Sequence, residues 1–202
     1  MSDGFDFTEV LRFWLGAYPV QDAVMQQVLG QWFQKNEEFD RELEQRFGAT
    51  IEAARAGQLD AWAEQADSWL ALLIVLDQFG RNVYRDQPAA FAADGQALRC
   101  ALDGIERGLD QAVPPMARIF CYLPLEHAED PAMQERAVAL FRALAADPQA
   151  QPAAFFETTL DYALQHQDVI ERFGRFPHRN PILGRDSTPA EQEYLAQPGA
   201  GF

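Results

Sequence analysis

The feature that most constrains this chain is an unbroken apolar run, WLALLIVL from Trp69 to Leu76, followed at once by a polar stripe, DQFGRNVYR. A helix that is apolar on every side needs protein on every side, so the segment predicts a central helix over Ser68 to Phe79 surrounded by others. It is too short to cross a bilayer, which takes about 20 apolar residues. Beyond it, Asp77, Arg81 and Arg85 recur every fourth position, as do Gln78 and Asn82, so polar groups continue off the most apolar helix in the chain. Breaking a buried ion pair costs roughly 3 to 5 kcal/mol. Asp77 and Arg81 therefore each demand a counterpart, and Asp77 is expected to bond to an arginine.

Elsewhere apolar residues recur at helical rather than alternating spacing, and the fold class reads as all-α. Helices are expected over Phe7 to Leu15, Ala23 to Gln34, Glu37 to Ala56 with Gly57 to stop it, and Ala89 to Gly108. A short one over Pro115 to Tyr122 is expected to be interrupted by Pro124. Asp130 and Pro131 have the form of an N-cap and first turn, and Met133, Ala137, Leu140, Phe141 and Leu144 supply a core face. A long helix over Ala153 to Arg172 cannot comfortably pass Gly174 and Pro177. STPAE reads as a capping box opening a short terminal helix, with Thr188 as N-cap, Pro189 first and Glu191 closing the box, which explains Ser187 and Thr188 without catalysis. No Gly/Ser-rich linker divides the series. Residues 1–202 are expected to form one all-helical domain, with an ordered loop over 174–188 held down by Phe173, Phe176, Ile182 and Leu183.

The chain carries 31 acidic against 16 basic residues, a formal net charge of -15. That balance opposes nucleic acids and anionic membrane surfaces as partners. The N-terminus, MSDGFDFTEV, shows no export signal. Cys100 and Cys121 sit in apolar stretches and read as buried thiols, which fits a cytoplasmic protein. Lys35 is the only lysine, a bias attributed to composition. Against this background RFGRFPHRNPILGR, residues 172 to 185, holds four arginines and a histidine with no acid.

Several segments carry a resemblance: LRFWLG (11–16), QWF (31–33), FD (39–40), LALLIVLDQFGRNVYR (70–85), AFAADGQAL (90–98), YLPLEHAED (122–130) and HQDVIERFGRFPHRNPILGRDSTPAE (166–191). In order and over nearly the whole chain, they resemble the bacterial family catalogued as domain of unknown function 924, with mild departures at Gly80 and Glu126. The resemblance implies a right-handed α/α superhelix of antiparallel helix pairs, similar to tetratricopeptide (TPR) repeats. It implies no activity.

The dense polar clusters are the DQFGRN stripe, EHAED (126–130) and the arginine segment, and they are inferred to meet. One reading is a network that pins the C-terminal segment onto the helices, with at least two of Arg172, Arg175, Arg179 and Arg185 turned toward Asp77, Glu126 or Glu129. The other is a pocket for a small anionic ligand, with Asp77, Arg81, Asn82, Glu126, Arg175, Arg179 and Asn180 as candidate binding residues. His178, His127 and His166 are the candidate proton-transfer groups, because imidazole exchanges a proton near neutral pH. His166 is expected to face inward, and His178 and Asn180 to lie nearest any cavity. No HExxH or HxxxH pair prearranges metal ligands, and no P-loop or GxGxxG signals a nucleotide, so no metal and no cofactor are expected. The alternative is a TPR-like interaction module that binds a protein segment and uses the charged network for structure alone.

Overall fold

The computed structural model describes residues 4–32 and 34–201, and every regular element among them is helical. The helices are α1 (Phe7–Leu15), α2 (Asp22–Trp32), α3 (Glu37–Arg55), α4 (66–83), α5 (Asp94–Glu106), α6 (Pro115–Glu126), α7 (Pro131–Ala145), α8 (Ala153–Phe173) and α9 (Pro189–Leu195). Their ends follow local chemistry. Asp6, Asn36, Asp130 and Thr188 accept hydrogen bonds from first-turn N–H groups, and Gly16 and Gly174 end α1 and α8 at φ 81° and 69°. The expected run of α2 to Gln34 stops at Trp32; Phe33, the last residue of QWF, lies outside the described residues.

The central helix is as the apolar run demands: Trp69 through Phe79 is buried throughout. Trp14 packs on Phe79 and Phe120 with ring centroids 5.5 and 6.0 Å apart, and Trp32 sits edge-on to Phe120 at 4.8 Å while its Nε1 donates to the Trp14 carbonyl at 2.7 Å. These rings tie α1, α2, α4 and α6 into one core. On the far side Trp69 lies against Gly104 of α5 and donates to the Cys100 carbonyl at 2.9 Å. A smaller cluster of Val169, Ile170, Phe176 and Tyr194 fastens the C-terminal segment to the end of α8.

Four expectations change. The middle of α4, Ile74–Phe79, is a π-helix between α-helical Ala66–Leu73 and Gly80–Val83. Pro124 does not interrupt α6: it removes one N–H, but Ile119, Phe120, Tyr122, Leu123 and Leu125 are all buried and hold the helix to Glu126. The helix expected from Ala89 begins only at Asp94, after a 3-10 turn over Pro88–Phe91. The segment expected as a plain loop contains a 3-10 turn, Pro177–Arg179, and a short helix, Asn180–Leu183; Phe176 is buried, but Leu183 is exposed.

Two glycines inside helices have opposite surroundings. A Cβ at Gly104 would fall within the Trp69 indole, whereas one at Gly48 of α3 meets nothing. Gly104→Ala is expected to destabilise the protein by about 1–3 kcal/mol through overpacking. Gly48→Ala is expected to stabilise it by about 0.5–1 kcal/mol through helix propensity. Urea denaturation of both variants checks the pair, and equal effects would contradict the packing described.

Candidate functional site

The polar stripe of α4, the end of α6 and the middle of α8 meet at one pocket of about 400 Å³. Gln78, Arg81, Asn82, Arg85, Glu126, His127 and His166 form its polar wall, and Ile119, Leu123, Phe141 and Phe155 its apolar wall. Gln78, Glu126, His166, Ile119 and Phe141 are buried, so they mark the inner end. Gln34, Lys35, Thr158 and Tyr162 are exposed and form the rim.

Asp77 lies directly behind this wall. The π turn presents its carboxylate to α6, where Oδ1 is 2.8 Å from His127 Nδ1, while Gln78 Nε2 donates to Oδ2 at 2.6 Å. Arg81 Nη1 stands 3.4 Å from Oδ1 and donates to the Asp77 carbonyl at 2.7 Å, then grips Asp94 with two hydrogen bonds of 2.9 and 3.1 Å. Burial works to raise the Asp77 pKa, but Arg81 and then His127 outweigh it and hold the carboxyl well below its ordinary value. Burial and Arg81 push His127 the other way, below the usual imidazole range. A neutral imidazole beside a carboxylate must carry its proton on Nδ1, leaving Nε2 as the basic nitrogen. That Nε2 has no hydrogen-bond partner among the described residues.

Glu126 is 4% exposed, and its carboxyl makes no hydrogen bond among the described residues; Oε1 lies 3.2 Å from His166 Nδ1, which itself points at the Tyr162 carbonyl at 2.8 Å. Burial, reinforced by the charge of Asp77, raises its pKa to about 8. Burial first, then the neighbouring His127, lowers His166 to about 3. Near neutral pH the inner end thus holds a protonated carboxylic acid, two neutral imidazoles and one buried carboxylate.

The sequence candidates separate into two groups. Arg81, Asn82, Glu126, His127 and His166 line the pocket and Asp77 supports it, whereas Arg175, Arg179, Asn180 and His178 do not line it. His178 and Asn180 are therefore not the groups at this cavity; Asn180 is fully buried and donates to Ser187. Of the four arginines only Arg185 pairs with one of the three expected acids, reaching Glu129 at 2.7 and 2.9 Å. Arg179 goes to Asp94 at 3.3 Å, Arg175 to Glu191 at 2.6 and 2.9 Å, and Arg172 to Asp168 on its own helix at 3.1 Å. The acids that were missed, Asp40 and Asp94, stand in the short family-like segments FD and AFAADGQAL; Asp40 accepts from Asn82 at 2.7 Å and pairs with Arg85 at 3.0 Å. Lys35 and the α7–α8 side of the pocket carried no local signal. Among the described residues no group of three or more His, Cys, Asp or Glu is placed to hold a metal ion, and no helix is long and apolar enough to cross a membrane.

Two measurements follow from these pairings. Glu191 is 2% exposed; Arg175, and beyond it the Thr188 N–H, hold its carboxyl at about 2. Arg175→Ala leaves that carboxylate without its cation and should lower the melting temperature clearly, whereas Arg172→Ala removes a solvent-exposed pair worth about 0.3–0.5 kcal/mol. Equal melting temperatures would contradict the lock. Glu126 binds its proton more tightly folded than unfolded, so its contribution is fully present below about pH 4.5 and is lost as pH rises toward 8. Glu126→Gln, which mimics the protonated acid, should match the native protein at pH 4 and gain on it progressively between pH 5 and 8. Parallel stability curves from urea titrations would refute the raised pKa.

No match is found among curated proteins. A solved structure of a protein of unknown function from Agrobacterium tumefaciens is 40% identical, with 94% of this chain and 96% of that one covered and a TM-score of 0.80. The profile of a bacterial protein family of unknown function, DUF924, matches residues 10–199, and the chain belongs to that family.

Proposed function

We propose that the pocket between α4, α6 and α8 binds a small organic anion with an apolar body. The observation that carries this reading is Glu126, a buried carboxyl with no hydrogen bond among the described residues, on the wall of a pocket large enough for a metabolite. Buried polar groups that serve structure alone are satisfied by the protein; one that faces a pocket is available to a ligand. The apolar wall suits a carbon chain or ring. At the rim, Lys35 has no acidic partner among the described residues, in a chain where acids outnumber bases about two to one. A carboxylate or phosphate there would have a cation to itself.

The arginine segment favours the structural reading for its own part. Arg175, Arg179 and Arg185 pair with Glu191, Asp94 and Glu129, which supports a role in locking the C-terminal segment over one in binding the anion.

A thermal-shift series with octanoate, benzoate, inorganic phosphate and octanol tests the reading. Octanoate or benzoate should raise the melting temperature in a saturable way, as a ligand present at 100 times its Kd stabilises by about 2.7 kcal/mol. Lys35→Gln should weaken that shift, and octanol should give less. If neither carboxylate moves the transition beyond sodium chloride of equal ionic strength, the reading fails.

A further inference from the structure

We propose that this pocket is a proton-transfer centre for keto acids, in which His127 removes a proton from the carbon beside a ketone and the Glu126 carboxylic acid protonates the ketone oxygen. The proposal rests on the anion-binding reading above and adds a reaction to it. Its geometric basis is the pair of consecutive residues at the end of α6, both on the pocket wall, with no hydrogen bond to the Glu126 carboxyl or to His127 Nε2 among the described residues. Asp77 Oδ1 holds His127 Nδ1 at 2.8 Å, and Nε2 is left without a partner among the described residues. A histidine oriented through one nitrogen by a buried carboxylate, with the other open to a cavity, has the arrangement of a general base. Asp77 does not act on substrate; it fixes the ring and its tautomer, and is itself fixed by Gln78 and Arg81.

Glu126 supplies the opposite function. An uncharged carboxylic acid in an apolar pocket donates a strong hydrogen bond to oxygen that is gaining charge. Its elevated pKa, set by burial and by Asp77, agrees with that protonation state. An acid that polarises a carbonyl beside a neutral imidazole matches one bond above others: the C–H next to the carbonyl.

The electrons balance without another reactant. His127 Nε2 takes the proton, the C–H pair becomes a carbon–carbon double bond, and the carbonyl π pair moves to oxygen, which takes the Glu126 proton. The products are an enol, an imidazolium and a glutamate. Reversal returns the ketone, and when solvent protons have exchanged on His127 the carbon carries a solvent hydrogen. The substrate carboxylate lies at the rim near Lys35 and the ketone at the buried end, with the intervening carbons along Ile119, Leu123, Phe141 and Phe155. A ketone several carbons from its carboxylate fits this polarity.

The test uses 5-oxohexanoate in deuterated buffer near neutral pH, with loss of the protons flanking its ketone followed by NMR and binding followed by calorimetry. The intact protein should accelerate exchange, and octanoate should inhibit it competitively. His127→Gln should slow exchange about 100-fold or more while changing Kd less than about threefold, with His127→Asn as the second variant if the first does not fold. Asp77→Asn should split the same way, lowering the rate and sparing binding, which a general loss of structure would not do. If 5-oxohexanoate binds but exchange stays at the buffer rate, or if octanoate does not inhibit it, the proton-transfer proposal is wrong and the binding reading stands. If neither 5-oxohexanoate nor octanoate binds, both fall.

Discussion

Asp77 is ionised and nearly sealed from water, and much of the molecule is arranged around that fact. An isolated carboxylate in such a place would cost several kcal/mol, so it is tolerated only with compensation from every side. His127 supplies it from α6, Gln78 from the same π turn, and Arg81 from the next turn of α4. Because His127 is neutral near pH 7, the compensating charge there comes from Arg81 and the imidazole contributes a hydrogen bond. Arg81 in turn holds Asp94 at the start of α5, and Asp94 receives Arg179 from the C-terminal segment. One buried charge thus sets the relative positions of four segments distant in sequence. The π turn matters here, since such turns recur at functional sites and this one places Gln78 on the pocket wall and Asp77 behind it against His127.

Burial, together with the Asp77–Arg81 pair, produces the acid–base contrast at the inner end. Arg81 keeps Asp77 ionised and adds to burial in discouraging a proton on His127. Asp77, once ionised, discourages ionisation of Glu126, which burial already disfavours. Glu126 and His127 are neighbours in sequence, yet one retains a proton near neutral pH and the other lacks one. No residue of unusual chemistry is needed: burial disfavours charge on both, which leaves a carboxyl protonated and an imidazole deprotonated, and Asp77 reinforces the first as Arg81 reinforces the second.

What could be read from the sequence follows from how local each cause is. Helix caps depend on a few adjacent residues, so Asp130–Pro131 and Thr188–Pro189–Glu191 were legible, as was burial of Trp69 to Leu76, which needs only the absence of a polar face. The π turn over Ile74–Phe79 has no local signature, because the pattern that would betray it is the polar stripe it reorients. Pro124 misled for a related reason: its cost is local, but the burial that outweighs it comes from other helices. At the site, convergence of the α4 stripe with Glu126 and His127 was legible from density of polar residues, while the place of His166 in the same pocket, the absence of the arginine segment from its lining and the partner of each arginine were not. Charge counting says that Arg175 and Arg179 need acids; only the path of the chain says that these are Glu191 and Asp94 rather than Glu126 or Asp77.

The division between arginine and lysine gains meaning from this geometry. Arg81 on Asp94, Arg175 on Glu191 and Arg185 on Glu129 each use two guanidinium nitrogens on one carboxylate, a planar match that fixes direction as well as charge. Such cations are spent on holding the protein together, and a ligand would have to displace an acid to reach them. Lysine offers a single hydrated charge on a flexible stem, poorly suited to a permanent clamp and well suited to an anion that arrives and leaves. The chain's one lysine stands at the rim of its pocket without an acidic partner among the described residues, where the mobile kind of cation is the useful one. Composition alone accounts for the scarcity of lysine; it does not account for where the remaining one is kept.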